Sequence, residues 1–590
     1  MNMSESRLFG TVGEPDLHYV KENPLGFFKR HTYAEVAAAE EKHTWKGTAW
    51  IGDTVNIPLV LWTGSRGKRG VRFEAGELAN KGGAEGISTD NVTVRFQKYL
   101  KSSCGSPISM AYKTWLEIAP YEYIPDILDS CEEVDIEAYA LQPVWVTVKV
   151  PRSAQAGKFE GAVTFRDKVG DELVFTLQLE VKNIVLPERR EWKYDLQIFH
   201  WPTSLWDDMK LPREQFFSPE ALELLREHYR NLWEAGQNMV WCEITDRPPC
   251  PGDANKYKNS HVSQVGWIKK RDGRFAFDFT WFDSWVSFMT GIGFDGPLVL
   301  EGLIGADIRY YDEAKQELVT VNAVPATAGW DAMVKAFLSA LLPHCDEKGW
   351  TDRIYIHVDE RPYEELEKVL DLVDEVSGKR FKFNVALNSG SLKNPLLDRI
   401  EYVSINVGIC DEHTQSECVR RREELGLVTS IYNCTTNFPN CFARSNPSEN
   451  IWAIWDTLRN KTDGFLRWAY DLMTLDPMEC SDNPDFESGD QNYVYPGNRS
   501  SVRFECLKEG IRDAVKVQLL SGKSPALKAE LDEALQGMAT IGDIGSEKEE
   551  YGAPKDPGKV DIAAEVRRLK TALRKAEDRY IKETARTAGA

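Results

Sequence analysis

Asp359 and Glu360 stand side by side where an apolar run, Ile354 to Val358, stops. Two neighbouring acids offer a division of labour. One carboxyl, held protonated by an apolar wall and a nearby negative charge, can donate a proton to a leaving oxygen, while the other stays ionised and stabilises developing positive charge. An acid pair at a helix N-terminus would look the same, because the macrodipole of a helix at 362–376 favours negative charge there. Side chains alternate along a strand, so Tyr355, His357 and Asp359 share one face with Ile354, Ile356 and Val358 on the other. By that parity Glu360 points away from Asp359. It joins a common site only if the strand ends or bulges there, which Arg361-Pro362 favours.

The elements that must position this pair follow from periodicity. Residues 1–187 read as an all-β domain, with alternation in 54–62, 91–96, 144–150 and 173–181 separated by Gly-, Asp- and Asn-rich turns, which points to a β-sandwich. Leu186-Pro187-Glu188 breaks the pattern. From 193 to 520, strands expected at 194–201, 238–244, 297–303, 354–360, 382–388, 402–408, 428–434 and 464–470 alternate with helical segments. Eight such units predict a (β/α)8 TIM-type barrel; a doubly wound open sheet is the structural alternative, without a Gly-rich phosphate loop to support it. Within 521–590, a helical tail, 527–538 and 559–585 carry helical patterns, the second with an apolar face of Ala563, Val566, Leu569, Leu573 and Ala576. Residues 541–559 between them read as a loop. The helices either pack on the barrel or form an oligomerisation arm.

Barrel chemistry sits at the C-terminal strand ends. These ends carry His200-Trp201, Trp241-Cys242-Glu243, Glu301, Asp359-Glu360, Asn388, Asn406, Tyr432-Asn433 and Trp468-Ala469-Tyr470-Asp471, polar and aromatic groups suited to a polyol. Eighteen Trp, many in short polar segments, supply flat apolar faces that suit sugar rings, although Trp is equally a core residue. A net charge of −20 argues against nucleic-acid binding and suits a neutral substrate. No stretch approaches ~18 apolar residues, so no membrane insertion is expected. The N-terminus lacks a signal-peptide pattern and eleven scattered Cys fit free thiols, which together predict a cytoplasmic protein unless a signal has been removed. Cys434 with Cys441, or Cys410 with His413, match no zinc spacing, so no metal is expected.

The run Gly464-Phe465-Leu466-Arg467-Trp468-Ala469-Tyr470-Asp471, then Gly489-Asp490, Tyr493-Val494-Tyr495-Pro496-Gly497 and Arg499-Ser500-Ser501-Val502-Arg503-Phe504-Glu505, resembles the C-terminal signature of glycoside hydrolase family 123, the β-N-acetylgalactosaminidases. Gln142-Pro143-Val144-Trp145-Val146-Thr147-Val148, with Pro151, Gly157, Glu160 and Gly161, is similar to that family's sandwich. The resemblance spans about 45–520. It implies a sandwich followed by a barrel and retaining, substrate-assisted hydrolysis without metal or cofactor. Glu360 would be the general acid/base and Asp359 would orient the 2-acetamido group, whose oxygen attacks the anomeric carbon to form an oxazoline. Strand-end position and chemistry add Asn388, Tyr432, Asn433, Trp468, Tyr470, Asp490, Tyr493, His200 and Trp241 as substrate-binding candidates. The expected partner is a glycan, on a lipid or free, ending in β-linked N-acetylgalactosamine, with homo-oligomerisation open. A catalytically silent carbohydrate binder, or a glycosidase of other specificity using Glu243 or Glu301, remain alternatives.

Overall fold

The computed structural model describes residues 7–23, 29–103, 121–246, 261–304, 307–322, 324–325, 327–409, 412–434, 437–474, 476–481, 488–540 and 560–588. Cys410 and the stretch 541–559 lie outside the described residues.

The N-terminal strands form two facing sheets. One is antiparallel, in the order Leu8–Val12, Thr54–Thr63, Leu141–Lys149, Val92–Ser103, Tyr121–Leu128. The other runs Thr44–Ile51, Glu172–Val185, Gly157–Arg166, Lys68–Ala75, Glu133–Ile136, with Thr44–Ile51 parallel to Glu172–Val185. Alternation sends Ile57, Leu59, Leu61, Val144, Val146 and Val148 from one sheet, and Phe159, Val163, Phe165, Phe175 and Leu177 from the other, into a shared core. Each such side chain contributes about 1.5–3 kcal/mol on burial.

The second half is a curled, eight-stranded, all-parallel sheet of TIM type. Its strands, in chain order, are Asp195–Ile198, Val240–Glu243, Leu298–Glu301, Ile354–Asp359, Lys382–Leu387, Tyr402–Asn406, Val428–Tyr432 and Gly464–Arg467. Strand one pairs with strand eight, and pairing then runs back through seven, six, five, four and three to two. Between strands one and two the ladder is closed by a side chain. Gln237 forms a bridge with Leu196, its amide nitrogen donates to Ile198 O at 2.9 Å, and its amide oxygen accepts from Ile198 N at 2.7 Å. The carboxamide thus satisfies backbone groups that a neighbouring strand would otherwise pair.

All eight strands coincide with the expected segments but end earlier, at 198 and 467 rather than 201 and 470. Helices follow them, as in Tyr363–Ser377, whose Leu366, Val369, Leu370 and Val373 are buried. After strand five the connection is only a 3-10 turn, Pro395–Arg399. Strands two and three are followed by an unanticipated four-stranded sheet, Gly266–Lys269, Phe275–Asp278, Asp307–Asp312 and Glu317–Asn322. These strands are too short and aromatic for a clear period-two signal.

Tail helices Pro525–Gln536 and Ile562–Ala588 lie against Pro447–Arg459 and Val502–Ser521, the last two barrel helices. Val566, Leu569, Leu573 and Ala576 are buried there. The Trp452 indole donates to Glu565 Oε2 at 2.8 Å, and Lys182 of the sandwich meets Glu577 at 2.9 Å. The tail therefore braces both halves of the molecule. Among the described residues, no helix is long and apolar enough to cross a membrane.

Candidate active site at the barrel mouth

Strand four obeys its parity up to Asp359. Ile354, Ile356 and Val358 enter the layer between strands and helices, whereas Tyr355 joins the cluster inside the barrel. His357 lies on this inner side. Its Nδ1 meets Asn384 Oδ1 at 2.8 Å, the Asn384 amide donates to Gln197 at 3.0 Å, and the Phe199 and Trp241 rings pack against the imidazole at 5.0 and 4.7 Å. His357 is part of a buried polar floor spanning strands four, five and one.

At Glu360 the chain leaves the strand conformation. Its φ is +49°, a left-handed value that a non-glycine residue adopts at a cost of roughly 1–2 kcal/mol. Its N–H still donates to Ala386 O at 3.0 Å, and the side chain swings onto strands five and seven. The Tyr432 hydroxyl donates to Glu360 Oε1 at 2.6 Å and the Asn388 amide donates to Oε2 at 2.5 Å. The strand thus ends where co-location of the two acids requires it to end. Burial pushes the Glu360 carboxyl above the ordinary carboxylate range, the Asp359 charge adds to that shift, and the bonds from Tyr432 and Asn388 oppose it. Asp359 beside it is exposed. One acid thus has a raised pKa and the other is open to solvent.

Across the mouth, Trp468 is half-buried and donates its indole N–H to Asp490 Oδ2 at 2.9 Å. Asp490 is itself ion-paired with buried Arg467. Trp201 stands edge-on to Trp468, with ring centroids 5.9 Å apart, and donates to Glu243 Oε2 at 3.1 Å. The Trp201 backbone N–H is anchored on buried Asp471 at 2.7 Å. The His261 ring lies 5.1 Å from Trp201, with Nδ1 3.8 Å from Glu243. On the strand-one, -two and -eight side, Trp468 therefore stands over a buried layer of Trp201, Glu243, His261 and Asp490.

The structure gathers Asp359, Glu360, Asn388, Tyr432 and Trp468 at the mouth. Other expected contacts lie elsewhere. Strand one ends at Ile198, and His200 faces outward, its ring near Tyr229 and Trp285; burial lowers its pKa to about 4. Trp241 faces inward but is 1% exposed, beneath the mouth against Phe199. Asn433 braces the following loop, donating to Pro439 O at 2.7 Å. Strand eight ends at Arg467, so Tyr470 falls in the outer layer, donating to His228 O at 2.9 Å, while the Tyr493 hydroxyl meets Asn450 at 3.3 Å. Asp490 acts on Trp468 rather than at the surface. Trp201 and Glu243 are the residues that strand parity, counted from Phe199 and Trp241, picks out in place of His200. Cys434 and Cys441 are free thiols, and among the described residues no group of three His, Cys, Asp or Glu gathers as metal ligands.

The model of the glycoside hydrolase 123 catalytic domain matches residues 206–520, and that of the family's N-terminal domain matches residues 14–167. The chain belongs to glycoside hydrolase family 123. A family 123 glycoside hydrolase from Clostridium perfringens, solved for the details of glycolipid glycan hydrolysis, superposes with a TM-score of 0.87 at 27% identity, over 98% of this chain and 100% of that one. A Bacteroides ovatus GH5 xyloglucanase in complex with a XXXG heptasaccharide aligns over 80% of this chain and 99% of its own at 9% identity, but its TM-score of 0.27 carries no argument. Comparison with curated proteins found no match. Membership in family 123 gives the chain its chemistry, hydrolysis of a glycosidic bond.

Proposed function

We propose that this family 123 enzyme removes terminal β-linked N-acetylgalactosamine by a retaining, substrate-assisted mechanism. The observation that carries the proposal is the left-handed turn at Glu360, which brings a carboxyl of raised pKa beside an exposed Asp359. In two-carboxylate retaining enzymes the acids stand about 5–5.5 Å apart on opposite sides of the glycosidic bond, whereas here both candidate acids come from one strand end. They suit a reaction in which the substrate supplies the nucleophile. The acetamido oxygen attacks the anomeric carbon as the glycosidic C–O bond breaks, and the Glu360 proton passes to the leaving oxygen. Asp359 orients the acetamido N–H and balances the positive charge that develops on it. Glu360, now ionised, takes a proton from water as that water attacks the anomeric carbon, which opens the oxazoline and restores the acid with retained configuration. Trp468, backed by buried Trp201, offers an apolar face to the sugar. The Clostridium perfringens relative's connection with glycolipid glycans supports a glycan carried on a lipid as the natural substrate class.

The test compares aryl 2-acetamido-2-deoxy-β-galactoside with the aryl β-galactoside lacking the acetamido group, and with the 4-epimeric aminosugar. Cleavage of the first alone is expected. Equal rates with and without the acetamido group refute substrate assistance, and preference for the epimer refutes the assigned sugar.

A further inference from the structure

The antiparallel sheet of the sandwich turns a polar surface toward the flank of the barrel. Along Val92–Ser103, Val92, Val94 and Phe96 enter the sandwich core, so Thr93 and Arg95 point the other way. Thr147 pairs with Thr93, and Lys149 with Thr54, which puts Thr54, Thr147 and Lys149 on that outer face as well. Across from them stand the barrel helices Arg226–Ala235 and Val502–Ser521, and the space between is a cavity of about 550 Å³.

Seven Arg and Lys line this cavity against four Asp and Glu, in a chain whose net charge is −20. The four carboxylates are already engaged. Glu227 pairs with Arg230 at 3.0 Å and Glu234 with Lys149 at 3.1 Å. Asp53 is shared by Arg512 at 3.4 Å and Lys516 at 2.7 Å, and Glu505 by Lys508 at 2.8 Å and Arg95 at 3.6 Å. Arg152 reaches only Glu188, outside the cavity, at 4.0 Å. Arg189 forms no ion pair among the described residues. Its Nε donates to Trp233 O at 2.7 Å, the Trp192 and Trp233 rings lie 5.3 and 5.8 Å from its guanidinium carbon, and Nη2 is buried without a hydrogen-bond partner. A buried guanidinium without an anion is costly, and an anion held in the cavity supplies the missing counter-charge.

We infer that this cleft between sandwich and barrel binds a tetrahedral oxyanion of the phosphate class, free or esterified on a larger molecule. Guanidinium forks match the oxygens of such an ion bidentately, and the Thr54 and Thr93 hydroxyls add neutral donors beside them. A neutral sugar would leave the surplus of positive charge unbalanced. The inference is independent of the active-site reading, because the lining residues do not belong to the barrel mouth.

The full chain is titrated calorimetrically with inorganic phosphate at neutral pH and low ionic strength, and separately with sodium chloride at matched ionic strength. Saturable binding of phosphate near one equivalent, weakened by added salt and absent with chloride, is expected. Arg189→Gln and, because Arg189 also braces Trp233, the more exposed Arg152→Gln should weaken it about tenfold or more. Such a loss in either folded variant supports the site, and cleavage of the aryl aminosugar should match the parent's in both. Glucose 6-phosphate separates the two sources of the anion: binding tighter than inorganic phosphate supports an esterified group, and weaker binding supports the free ion. No saturable phosphate binding by the parent, chloride binding as tight as phosphate, or an affinity unchanged in both folded variants overturns the inference.

Discussion

The Tyr432 hydroxyl lies 2.6 Å from Glu360 Oε1, joining the seventh barrel strand to the residue that ends the fourth. A phenol donating to a carboxylate favours the ionised form, whereas burial and Asp359 favour the protonated one. Removing the hydroxyl in Tyr432→Phe should raise the Glu360 pKa further. The basic limb of the kcat/KM–pH profile, set by loss of the acid's proton, then moves to higher pH. Turnover should fall about tenfold or more because the carboxyl loses a charge-assisted hydrogen bond that orients it. An unmoved limb would mean that another group sets it.

Asp359→Asn tests the other contribution with the opposite sign. The Asp359 charge is the second cause, after burial, of the raised Glu360 pKa. Its neutralisation should move the basic limb to lower pH while turnover on the acetamido substrate drops by about 10²-fold or more, as for loss of a transition-state electrostatic partner. A limb moving the same way in Asp359→Asn and Tyr432→Phe would contradict this account.

The barrel was readable because its strands are apolar runs bounded by polar ends, so eight segments could be placed within a few residues. Where each strand stops was not readable. That shift of three residues moved Tyr470 into the outer layer and placed His200, rather than Trp201, among the expected ligands. Asp359 follows from parity, but the left-handed backbone of Glu360 leaves no trace in a Glu-Arg-Pro sequence beyond the permission that proline gives. Asp490 carries a strand-end signature yet is buried against Arg467, because ion pairing across distant segments has no local pattern.

Glu360 should also carry a stability cost. A carboxyl whose pKa is raised in the folded protein binds its proton more tightly there than in the unfolded chain. The stability it contributes is present below its ordinary value of 4.5 and is lost as pH rises through the folded value. Glu360→Gln is neutral at every pH and its amide oxygen can still accept from Tyr432. The variant should therefore have a higher Tm than the parent at pH ~7, with the difference vanishing below pH ~4. Its turnover should fall about 10²–10⁴-fold, as for loss of a general acid. Tm curves that stay parallel across this range would show that Glu360 feels no net burial penalty.

The tail helix Ile562–Ala588 is bound by both apolar and ionic contacts, and the two can be separated. Leu569 is fully buried against the barrel helices, so Leu569→Ala should destabilise by about 2–5 kcal/mol through lost transfer energy and the cavity left behind. Lys182 and Glu577 pair with side-chain exposures of 6% and 5%. Lys182→Met should cost about 3–5 kcal/mol because Glu577 is left buried without its cation, whereas Lys182→Met with Glu577→Leu should recover much of that loss. Urea unfolding measures all three, and kcat at low temperature should stay near the parent's because neither residue lies at the barrel mouth. A tail that unfolds in a separate, earlier transition without changing the main midpoint would show that it contributes nothing to the barrel. A single cooperative transition shifted by these amounts is the outcome that contacts to both sandwich and barrel require.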